Sequence, residues 1–157
     1  MTSFEEIYDQ SLSTLKSCTY ADLDEDDLKA ELYNLLVRAI ASFRFPKIPL
    51  TYKVEEIPNF QGILYKQGTF VNDIRQEEIN VLLAYMKKYW MEFQISQENR
   101  FLNPYYDSNV KGYSPGNILS QLKNTYEIFS EEAEQANYNY SRVDLSGRPA
   151  LGLLNDE

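Results

Sequence analysis

Four stretches of the chain repeat apolar residues at helical spacing, and segments of different pattern separate them. The first runs through Phe4, Ile7, Tyr8, Leu12 and Leu15, three to four residues apart, as one face of a helix requires. Ser3 stands just before it and Glu6 three residues on, a capping box in which each side chain takes the other's free backbone N–H. The second stripe is Leu28, Leu32, Leu35, Leu36, Ala39, Ile40 and Phe43. Asp24 is its expected N-cap, and Glu25, Asp26 and Asp27 suit the positive end of the helix dipole. Pro46 stops it, since the residue before a proline is pushed away from helical angles. The third stripe, Ile79, Leu82, Leu83, Met86, Tyr89, Trp90 and Phe93, starts from a cap at Asp73 and leaves Glu77, Glu78, Lys87 and Lys88 largely on other faces. The fourth opens at Ser114 and Pro115, a cap and a first helical position, and carries Ile118, Leu119, Leu122, Tyr126, Phe129 and Ala133. Its pattern ends after Tyr140.

Between the second and third stripes, residues 46–72 read differently. Pro46, Pro49 and Pro58 punctuate them, and Gly62 and Gly68 permit turns. Residues 50–54 and 63–66 have the pattern of short extended pieces, a small hairpin or a loop laid on the bundle. Ile57, Phe60, Ile63, Leu64 and Phe70 are too apolar for a freely solvated segment, so this insertion is expected to serve an interface. Residues 141–157 carry Gly, Pro and repeated Leu and cannot build a core alone. The expected fold is therefore mainly α: a four-helix bundle-like domain over 1–140, with an inserted extended loop or small hairpin at 46–72 and an extended C-terminal arm over 141–157. Short links favour antiparallel neighbours.

A length of 157 residues allows one core. With 13 Tyr and 8 Phe among them, aromatic area is ample for a core and for contact surfaces as well. The net charge of −9 lacks the clustered Lys and Arg that displace counterions from phosphates, which argues against tight nucleic-acid binding. The acid gathers in the first 34 residues, either as a solvated face or as a surface for a basic partner. The lone Cys18 offers neither an intrachain disulfide nor a thiolate metal site. The chain has no His, which removes the usual near-neutral acid–base group and the commonest metal ligand. The start of the chain lacks the basic and apolar regions of a secretory leader, and no apolar run approaches the ~20 residues that span a bilayer. A soluble protein of a reducing compartment is expected.

Candidate chemistry is thin. The pairs Glu77–Glu78 and Glu131–Glu132 could in principle serve as paired acid and base, but they fall at a helix start and on a charged helix face. The acidic run from Asp22 to Asp27 lacks the turn glycine and final glutamate of a calcium loop. Residues 112–116 lack the Gly-Lys-Ser/Thr of a phosphate loop. No catalytic, cofactor-binding or metal site is expected, and the chain reads as non-enzymatic.

The order of features resembles the head–tail connector proteins of tailed bacteriophages, also called adaptor or head-completion proteins. The resemblance rests on the opening helix from Phe4 to Tyr8, the acidic turn leading into the stretch from Leu32 to Phe45, the helix from Glu77 to Trp90, and the start from Tyr113 to Leu122 with its glutamate-rich continuation. It spans most of residues 1–140. It implies a ring, a dodecamer, beneath the portal protein at the neck of the virion, assembled in the host cytoplasm. Such a ring extends the DNA channel without gripping DNA and offers a platform to a stopper or tail-completion protein. On that reading Phe60, Leu64, Phe70, Tyr105 and Tyr106 are expected at the subunit interface, and Arg148, Leu151, Leu153 and Leu154 on an arm that docks on the portal. The alternative is a non-enzymatic soluble helical adaptor or regulatory module that meets a basic partner protein.

Overall fold

A computed structural model gives the fold over residues 1–15, 25–58, 62, 64–102 and 115–143. Its elements are α1 (Phe4–Leu15), α2 (Glu25–Ser42), β1 (Tyr52–Pro58), β2 (Leu64–Phe70), α3 (Gln76–Leu102) and α4 (Pro115–Ser141). The protein is thus mainly α with one small hairpin. The residues expected in the C-terminal arm beyond position 143 lie outside the described residues. No described helix is long and apolar enough to cross a membrane.

The helix α3 is the axis, and α1, α2 and α4 all pack on it. Side-chain pairs give the directions. Arg38 of α2 reaches Glu92 at 2.7 Å, and Ser42 bonds Tyr89, so α2 runs antiparallel to α3. Lys87 of α3 reaches Glu132 at 3.1 Å, while Tyr140 meets Glu78 at the opposite end, so α4 is antiparallel too. The helix α1 runs parallel, with Gln10 beside Gln76. Four faces close the core: Ile7 and Tyr8; Leu32, Leu35, Leu36 and Ala39; Ile79, Val81, Leu82, Tyr85, Met86 and Trp90; and Ala133 with Tyr140. Ala133 leaves room for a close approach of α4 to α3. Val81 and Tyr85 widen the α3 stripe beyond the residues expected there, because this helix has neighbours on three sides.

Local rules set the boundaries. Ser3 accepts from the Glu6 amide at 3.3 Å, the serine half of the capping box expected for α1, while the Glu6 carboxylate takes the Ser3 hydroxyl instead of its backbone N–H. At α3 the expectation needs correction. Asp73 is not the cap; it takes the Met1 ammonium. The helix starts at Gln76, and Glu78 reaches back to accept the Arg75 N–H at 3.1 Å, the carboxylate half of a capping box shifted by two residues. The helix α3 runs on past Phe93, the last residue of its expected stripe, to Leu102.

The hairpin pairs β1 with β2 antiparallel, from Tyr52 opposite Phe70 to Pro58 opposite Leu64. Its base is held by Phe4, whose ring centroid lies 4.9 Å from that of Phe70 and 5.2 Å from that of Tyr52. Gly68 makes this possible: a methyl group there would overlap the Phe4 ring. Thr2 straps the other side of β2, accepting the Phe70 N–H at 3.0 Å through its carbonyl and the Ile74 N–H at 3.1 Å through its hydroxyl. The base is therefore core, whereas Pro58 and Leu64 at the far end of the ladder are exposed. Phe70 is fully buried, which overturns its expected place at a subunit interface. Its side chain faces Phe4 because the strand's two-residue alternation turns Gly68 and Phe70 inward together.

Candidate assembly surface

Among the described residues several large apolar side chains stay exposed once this core has closed, Met1, Ile128 and Tyr138 among them, and two such surfaces lie at opposite ends of α2. The first is a cleft between the N-terminal half of α2 and the hairpin tip. Helical spacing puts Asp26, Asp27, Ala30, Tyr33 and Asn34 along one face of α2, and Leu64, Tyr65 and Lys66 form the facing wall. The cleft holds about 350 Å³. Leu64 stands at its rim, 61% exposed. The lysines of the cleft are drawn to its walls. Lys29 reaches Glu25 at 2.9 Å and lies 5.2 Å from the centre of the Tyr65 ring. Lys66 lies 5.7 Å from the centre of Tyr33. The bond to Lys29 holds the Glu25 carboxyl below the ordinary range, and the same bond raises Lys29.

The second surface is a projection just beyond α2. Phe45 has φ 58° and is 84% exposed. A non-glycine residue in the left-handed region costs ~1–2 kcal/mol, so its surroundings have to impose it. They do so from both sides. Phe43 is buried and packs edge-on against Tyr140, with ring centroids 5.0 Å apart. Lys47 donates its backbone N–H to the Tyr140 hydroxyl at 2.8 Å and its ammonium to the Tyr140 carbonyl at 2.5 Å. The Tyr140 hydroxyl in turn donates to Glu78 Oε1 at 2.6 Å. Burial, then the bond to Glu78, push the Tyr140 hydroxyl well above the ordinary tyrosine range. With its neighbours at 43 and 47 fixed, the chain must turn sharply between them, and Phe45 is thrown outward.

This corner also corrects the placing of Glu78. Expected on a solvated face, it is 1% exposed and has partners on both carboxylate oxygens, the Tyr140 hydroxyl and the Arg75 amide. Of the expected interface residues, Leu64 is exposed and Phe70 is core. Phe60, Tyr105 and Tyr106 lie outside the described residues, as do the expected arm residues Arg148, Leu151, Leu153 and Leu154. The structure adds Phe45, Tyr33 and Asp27 to the surface. Phe45 carried a signal in the sequence: it precedes Pro46, and Phe43 already supplies the last position of the buried stripe.

The chemistry on offer is that of protein recognition: an aromatic knob, an apolar cleft, and charges around both. Arg44, Phe45 and Asp27 are all exposed. No family model, no curated protein and no solved structure matches this chain.

Proposed function

We propose that this chain is a structural head–tail connector subunit, one of the copies of a ring that sits under a phage portal, extends the DNA channel and presents a docking platform to the stopper or tail. One observation carries the reading: the core closes without Phe45 and Leu64, leaving large apolar side chains 84% and 61% exposed on a firmly held framework. Single exposed apolar residues are ordinary. A Phe held outward in the left-handed region is not, since the cost of that backbone falls on the folded monomer with no contact in return. The sequence resemblance supplies the kind of assembly. The exposed acid of α4, at Glu127, Glu131, Glu132 and Glu134, suits a wall past which DNA slides, because like charge keeps phosphates from sticking.

Mass photometry of the purified chain with and without the portal protein of the same virus tests the reading. The expected result is a portal-bound ring of many copies. Immunogold labelling of virions should place the chain at the neck. A monomer that ignores the portal, or label away from the neck, ends it. The exposed acid around the start of α2, Glu25 and Asp27 among it, favours a second reading, an adaptor for a basic partner. That reading predicts a one-to-one complex weakened steeply by salt, with no ring.

A further inference from the structure

We infer that Phe45 of one copy inserts into the α2–hairpin cleft of the next copy, making a head-to-tail contact between second copies of this chain. The inference deepens the connector reading by naming the two surfaces that join its subunits, and it rests on that reading only for the ring's place in the virion.

The two surfaces match in size and chemistry. A Phe side chain is among the largest single apolar anchors, worth ~150–250 Å² of burial. The cleft of about 350 Å³ has room for it and supplies Ala30, Tyr33 and Leu64 as apolar walls. Charge fits as well. Arg44 stands exposed beside the knob, and Asp27 stands exposed at the rim of the cleft, while the lysines of the cleft lean onto Glu25, Tyr65 and Tyr33. Arg44 beside the knob and Asp27 at the rim are thus of opposite sign, and Lys29 and Lys66 line the cleft as well.

Geometry excludes the chain's own cleft as the partner. From Ala30 to the end of α2 at Ser42 is 12 residues, or about 18 Å at the helical rise. Phe45 turns outward beyond that end, and it is fixed there by the bonds of Lys47 to Tyr140. A knob at one end of a helix and its socket at the other make a heterologous contact. Each copy gives one knob and receives one, so copies add in one direction and close into a ring when the rotation allows.

Site-directed cross-linking of the full chain decides it. In a Cys18→Ser background, Arg44→Cys beside the knob and Asp27→Cys at the rim of the cleft, which keep Phe45 and the apolar walls, are made separately and treated with a short bismaleimide, alone and mixed, both free and in the presence of the portal protein. Cross-linked dimer is expected from the mixture, well in excess of either variant alone. No excess under either condition overturns the inference. Phe45→Asn, which tolerates the left-handed backbone and removes the knob, is expected to weaken self-association on the order of tenfold or more. Sedimentation velocity reads this, and association equal to the parent chain is equally fatal. The two ideas fail separately. Cross-linking without portal capture keeps the contact and ends the connector reading; portal capture without cross-linking does the reverse.

Discussion

Phe43 and Phe45 stand two residues apart, and the molecule treats them in opposite ways. Phe43 is buried against Tyr140, while Phe45 is held out in solvent by the same corner. The hairpin repeats the contrast within one strand, where Phe70 is fully buried on Phe4 and Leu64, six residues earlier, stands at an open rim. In both regions a core element is the rigid base for an apolar group the core does not use. Burial of the base gives the projecting residue its fixed position, and a fixed apolar residue binds with less loss of conformational freedom than a mobile one. The contrast therefore divides these apolar residues into those that hold the fold and those that the folded chain leaves exposed.

The sharpest break of this division is Phe70→Asp. A charge placed among Phe4, Tyr52 and Phe70's other neighbours has no partner there, and such a change belongs to the class that costs more than about 4 kcal/mol. The monomer should fail to fold, read by loss of the cooperative transition in a far-UV melt. A folded Phe70→Asp monomer with a defect confined to assembly would restore Phe70 to the interface and blur the division.

Tyr140→Phe tests the corner and should cost about 2 kcal/mol, because it leaves a carboxylate oxygen of the buried Glu78 and the Lys47 amide without their partner. Urea unfolding gives the value, and a change within a few tenths of a kcal/mol would mean that water replaces the hydroxyl. The same group sets a pH dependence. The hydroxyls of Tyr140 and Tyr8 are both raised in the folded chain, chiefly by burial, whereas in the unfolded chain they ionise near 10. The native state then keeps protons that the unfolded state releases. Stability from this source is fully present below about pH 10 and is lost as pH rises above it. The stability of the parent chain should fall over that range more steeply than that of Tyr140→Phe. Parallel curves would show that Tyr140 ionises freely in the folded protein.

Much of the fold was legible in the sequence, because helix stripes and caps depend on nearby residues. The start of α1 at Ser3, the end of α2 before Pro46 and the end of α4 near Tyr140 follow from spacing, proline and capping alone. What was not legible depends on contacts distant in the chain. Glu78 looks like surface acid by local pattern, and only Tyr140, 62 residues away, makes it a buried acceptor. Asp73 has the right chemistry for a cap, yet Met1, 72 residues away, claims it. Phe70 and Leu64 have similar hydrophobicity, and their opposite fates follow from where Phe4 lands on the hairpin. For the candidate surface, Leu64 was reachable by reasoning about an over-apolar insertion. Phe45 had a local signal, standing before Pro46 and past the last stripe position at Phe43, but its outward placement depends on the backbone turn held by Lys47 and the distant Tyr140.

The smallest effect on the monomer is expected from Phe45→Gly, and its smallness is informative. Glycine enters the left-handed region freely, so the substitution relieves the ~1–2 kcal/mol that a side chain costs there. Part of that gain is returned, since glycine loses more freedom on folding, by roughly 0.5–1 kcal/mol. No packing is lost, because Phe45 is mostly in solvent in the monomer. The balance is a monomer as stable as the parent or more stable by up to about 1.5 kcal/mol, a rise of at most ~3–6 °C in Tm for a chain of this size. Calorimetry at a concentration that keeps both proteins monomeric reads it directly. A loss of more than about 1 kcal/mol would mean that Phe45 packs within its own chain, and would move it to the side of Phe43. A gain would mark a residue whose backbone cost falls on the monomer and is recovered only where another surface covers the ring.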